Sequence, residues 1–186
     1  MKFLKFYLKP ITVGLHLIIL SLAIVGICFA FKFDLFTCSE KALNTFEIYT
    51  MNDLSFTYQG LLGFSNTMIE FANKNTIFDS FMNIKEVLTE VKVIKVLVYA
   101  LLVSHALLAI FQLFAYRTKT TFVTCIVTTL LLIALRTVAI YAFKDVGLFE
   151  TVTKYYNVIM ILWLIATFVS GIQVTLYDYI SKAKVK

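Results

Sequence analysis

Two histidines, one arginine and two glutamines lie inside long apolar stretches of this 186-residue chain, and any chemistry has to start from them. A polar side chain in hydrocarbon is costly and must find a partner, so each marks a functional group or an interhelical contact. His16 falls in residues 11–33, His105 and Gln112 in 95–116, Arg136 in 122–143 and Gln173 in 158–177. Two imidazoles on neighbouring helices can serve as the axial ligands of a b-type haem, which makes His16 and His105 the candidate cofactor-binding pair. The competing reading is that both hydrogen-bond across helices and no cofactor is held. At 1.5 Å per residue, His16 is roughly 8 Å and His105 roughly 15 Å from the inner ends of their segments, so a shared iron would require tilt.

Arg136 lies in the outer half of its segment. Its guanidinium would form a structural ion pair with Asp145, Glu150 or an acid of the outer loop, or else bind an anion or lipid headgroup. No Asp or Glu lies within the four apolar cores, which argues against a carboxylate-based proton or cation relay. Cys28, Cys38 and Cys125 form no CxxC. A Cys28–Cys38 bridge is conceivable, but three thiols are too few for a membrane oxidoreductase with a reactive pair and a relay pair. The favoured reading is unpaired, small, apolar residues. There is no phosphate-binding glycine loop, HExxH, GxSxG or acidic metal cluster, so no catalytic or metal site is expected and the chain reads as non-enzymatic.

The elements that position these residues are set by hydropathy. Each of the four segments is about 20 or more residues, enough to cross a hydrocarbon layer of roughly 30 Å. A composition 60% hydrophobic, with mean hydropathy +0.87, fits a polytopic membrane protein and excludes a soluble domain. The expected class is an all-α membrane protein, a bundle of four transmembrane helices with a small extracytoplasmic cap between helices 1 and 2. The order is a basic interfacial segment (1–10), helix 1 (11–33), cap (34–94), helix 2 (95–116), turn (117–121), helix 3 (122–143), outer loop (144–157), helix 4 (158–177) and basic tail (178–186). Pro10 would begin helix 1.

Charge orients the bundle. Lys2, Lys5 and Lys9, the Arg117–Lys119 turn and Lys182, Lys184 and Lys186 fall on one side, whereas most acids lie in the long loop. The positive-inside rule puts both termini in the cytoplasm and the loop outside. The pI near 9.2 then follows from topology and anionic lipid, and nucleic acid is not an expected partner. The absence of an N-x-S/T sequon in the loop is consistent with a bacterial inner membrane.

Within the cap, residues 46–50 and the alternation of Leu54, Ser55, Phe56, Thr57 and Tyr58 predict a β-hairpin. Phe64, Met68, Ile69, Phe71 and Ala72 predict an amphipathic helix after it. From about residue 79 a second helical pattern runs into helix 2 without a breaker, predicting one long helix that projects outward.

This layout resembles claudin-like tetraspan proteins in outline, without their W-GLW-C-C signature. Residues 128–145 (TTLLLIALRTVAIYAFKD) resemble the arginine-containing helix of the phosphate-starvation-inducible PsiE family. Small, basic, multi-helix composition is similar to that of immunity proteins against pore-forming bacteriocins. Small residues spaced by four (Gly26 and Ala30, Ala100 and Ser104, Ala166 and Ser170) supply close-packing faces. The expected function is an accessory or structural subunit of an envelope complex, contacting membrane lipid and other membrane subunits or a second copy through the cap and these faces. The alternatives are a haem b electron-transfer subunit using His16 and His105, and an immunity-type protein against a membrane-active toxin.

Overall fold

The computed structural model describes residues 2–38, 56–74, 84–112, 118–142 and 149–185. Among these, four helical stretches are long and apolar enough to cross a membrane: Pro10–Lys32, Leu88–Ile110, Thr118–Tyr141 and Lys154–Ile180. This is an integral membrane protein with an all-α bundle. Helix α1 spans Lys2–Lys32, and a short strand β1, Phe36–Cys38, follows it. The cap helix α2 is Tyr58–Lys74 and α3 is Ile84–Ile110. Helix α4, Thr118–Thr137, ends in a π-helical turn at Val138–Ala142. Strand β2, Phe149–Val152, then leads into α5, Lys154–Val185.

Pro10 sits inside α1 rather than at its start, which corrects the expected boundary. Proline removes one backbone donor and opposes the carbonyl four residues earlier. Residues 2–9 contain no other breaker, and the helix continues back through them to Lys2.

Each span turns a stripe at helical spacing inward: Ile19, Ala23 and Ala30 on α1; Ile94, Val98, Leu101 and Leu108 on α3; Leu132, Leu135 and Ala139 on α4; Ile159, Trp163 and Ala166 on α5. Helix α1 packs chiefly on α5, α5 on α4, and α4 on α3. The contact that closes the ring, α1 against α3, is thin. Helix α2 lies on α3, with Leu61 and Phe64 joining Val91 and Ile94 in the core.

The strand pairing differs from the expected hairpin. Strand β1 pairs antiparallel with β2, Phe36 opposite Val152 and Thr37 opposite Thr151, so the segment after α1 is tied to the segment before α5. Residues 39–55, which hold most of the expected hairpin, lie outside the described residues. Its last residue, Tyr58, is helical. The reason is Thr57, whose Oγ1 accepts the Gly60 N–H at 3.1 Å and so caps α2. Thr153 plays the same part for α5, accepting the Tyr156 N–H.

Four further bonds fasten the cap to the span ends. The Phe56 N–H donates to Asp34 Oδ1 at 2.6 Å and the Leu35 N–H donates to the Phe56 carbonyl. The Thr153 hydroxyl donates to the Asp34 carbonyl and the Thr153 N–H to that of Leu35. Above them Phe36, Phe56, Phe64, Phe149 and Tyr156 form a chain of ring contacts, with centroids 5.0–6.2 Å apart.

Candidate functional site

His105 is buried on the inward stripe of α3, and its surroundings are aromatic. The Trp163 ring of α5 meets it edge-on with centroids 4.7 Å apart, and the Tyr58 ring of α2 does so at 5.9 Å. Three elements therefore converge on one imidazole. Trp163 can reach this position because α1 presents Gly26 beneath it: a Cβ there would lie 3.1 Å from the indole Nε1.

The hydrogen bonding of this stack is incomplete. His105 Nδ1 lies 2.5 Å from the Leu101 carbonyl. A carbonyl only accepts, so Nδ1 carries the proton and Nε2 of the neutral ring presents a lone pair. His105 Nε2, Trp163 Nε1 and the Tyr58 hydroxyl are all buried without a hydrogen-bond partner. Each such group costs about 1–3 kcal/mol, so three in one contact chain require an explanation. Burial raises the Tyr58 phenol above its ordinary value, and the neighbouring Tyr156 adds to the effect.

Further along the spans several hydroxyls and the Gln112 amide N–H pair across helices, while Gln112 Oε1 and Gln173 Oε1 are buried without a partner. Thr128 Oγ1 of α4 lies 3.1 Å from Ser104 Oγ of α3, and Thr129 Oγ1 lies 3.2 Å from Thr167 Oγ1 of α5. Gln112 Nε2 donates to Thr121 Oγ1 at 2.9 Å. The same threonines contact carbonyls one turn back in α4, as Thr128 does with Thr124 and Thr129 with Cys125. Gln173 is buried on α5. At the first turn of α4, Lys119 pairs with Asp178 of α5 at 3.6 Å.

The two candidate haem ligands are not brought together. His105 stands beside Trp163, which covers Gly26, whereas His16 is ten residues nearer the N-terminus of the same α1 helix. That is about 15 Å along the axis, and a shared iron needs both imidazoles at one level. Arg136 is exposed on α4; its expected partner Asp145 and the side chain of Glu150 lie outside the described residues. Cys28 and Cys125 are free thiols, so the conceivable Cys28–Cys38 bridge does not form, and the Ser170 hydroxyl lies beside Cys125. Among the described residues no three His, Cys, Asp or Glu side chains gather as a metal site would need.

The chain matches no family model, no curated protein and no solved structure.

Residue patterns pointed to His105 and left Tyr58 unmarked. The signal for Trp163 was its position, a lone tryptophan well inside a span and away from the interfacial belt. Tyr58 gave none, because its partners come from helices far along the chain.

Proposed function

We propose that this protein is a non-enzymatic accessory subunit of a membrane complex, presenting its outer cap to a partner. The observation that carries the reading is the way the cap is fastened. Asp34, Leu35, Phe56 and Thr153 stitch the start of α2, the end of α1 and the start of α5 into one unit, and β1–β2 adds a second tie. A surface held this firmly to the bundle is preorganised, which lowers the cost of association. Gly26 lies against Trp163 of α5, Ser104 against Thr128 of α4 and Ser170 beside Cys125 of α4, so these faces are used within the chain and the partner surface belongs on the cap. The distribution of lysines supports cytoplasmic termini and an outward-facing cap, and the sequon-free loop is consistent with a bacterial inner membrane.

The test is native mass spectrometry of the full chain extracted from its own membrane in mild detergent. Co-purification in fixed stoichiometry with another membrane protein, or with a second copy, is the expected result. A stable monomer with no companion overturns it.

A further inference from the structure

The seam between α1 and α3 is the thinnest in the bundle, and its outer end is filled by a residue from neither helix. Tyr58, the first residue of α2, touches Phe31 of α1 on one side and His105 of α3 on the other, with ring centroids 5.8 and 5.9 Å away. Phe31 is 46% exposed on the membrane-facing surface. Behind His105 stands Trp163. A path from the bilayer through this seam thus meets Phe31, Tyr58, His105 and Trp163 in turn, and the last three carry buried polar atoms without partners.

We propose that this seam is a binding site for the headgroup of a lipid-soluble quinone, entered from the bilayer, with Tyr58 as its door. The walls are aromatic, which suits a flat ring. The Trp163 N–H and the Tyr58 O–H are donors for quinone carbonyls, and the His105 Nε2 lone pair accepts from a quinol hydroxyl. The stack itself contains no charged side chain, so a neutral headgroup fits it and a phosphate does not. The polar atoms are sealed in the closed state, so entry requires Tyr58 to swing out. The site binds a headgroup; no electron transfer is assigned to it.

Trp163 is the sole tryptophan of the chain, so its fluorescence reports on this stack alone. Full-length protein in lipid nanodiscs is titrated with ubiquinone-1, a short-chain quinone that quenches indole on contact. Quenching should saturate, with apparent affinity weakened about tenfold in Tyr58→Phe, the equivalent of about 1.4 kcal/mol for the lost hydrogen bond to a quinone carbonyl. Tyr58→Phe removes a single oxygen and keeps the ring, so it takes away the donor while leaving the packing of the stack in place. Quenching that rises linearly without a plateau, or saturates equally in wild type and Tyr58→Phe, overturns the proposal. The measurement uses the isolated chain, so its outcome is independent of any partner subunit.

Discussion

The Tyr156 hydroxyl of α5 donates to the Leu132 carbonyl of α4, and the same oxygen takes a backbone hydrogen bond from Arg136. A side chain from one helix is thereby anchored on the backbone of another. Two residues after Arg136 the helix passes into the π turn Val138–Ala142. Replacing Tyr156 with Phe keeps the ring in the aromatic cluster and removes only this anchor. The expected loss is about 1 kcal/mol or less, seen as a fall of a few degrees in thermal midpoint in detergent. A much larger loss would show that the α4–α5 contact depends on this single hydroxyl.

Two glycines should respond to alanine with opposite signs. At Gly63, on the cap helix, a Cβ meets nothing within 4 Å, so Gly63→Ala gains helix propensity, up to about 1 kcal/mol. At Gly26 the new methyl presses on Trp163, a buried ring held by His105, and overpacking of about 1–3 kcal/mol outweighs the propensity gain. Thermal melts of both variants check the pair. Stabilisation by Gly26→Ala would mean that the α1–α5 contact has slack.

What hydropathy could and could not reveal follows from the range of each interaction. The four spans were legible because about 20 apolar residues in a row is a local property of the chain. Helix α2 was legible for the same reason, from the spacing of Phe64, Met68 and Ile69. The strand pair was not, because Thr37 and Thr151 are 114 positions apart and neither flanking sequence names the other. Five alternating residues ending at Tyr58 suggested a strand, yet one threonine cap turned that end into a helix. His105 was visible as an intramembrane polar residue, whereas its company was set by the bundle order, which hydropathy does not encode.

The α3–α4 contact at Ser104 and Thr128 is suited to a double-mutant cycle. Both hydroxyls also reach carbonyls of their own helices, so each is satisfied when its partner is removed. The coupling energy between Ser104→Ala and Thr128→Val should therefore be modest, near 0.6 kcal/mol, the average for such pairs in membranes. Equilibrium unfolding in mixed micelles measures it. A coupling above about 2 kcal/mol would assign this pair a larger role than glue.

Tyr58 makes the protein labile to alkali, and the sign can be worked out. Its ordinary value is 10.0 and burial raises it in the folded state, so folded protein keeps a proton that the unfolded chain releases. Stability from this group is complete below pH 10 and falls as the pH climbs above it, by about 1.4 kcal/mol per unit for one proton. Tyr58→Phe removes this ionisable phenol while leaving the other tyrosines in place, so its stability should decline less steeply above about pH 10 and run parallel to wild type below it. Thermal midpoints collected across that range in a single detergent make the comparison. Identical slopes above pH 10 would mean that Tyr58 ionises freely in the folded protein, which a phenol sealed between Phe31 and His105 does not allow.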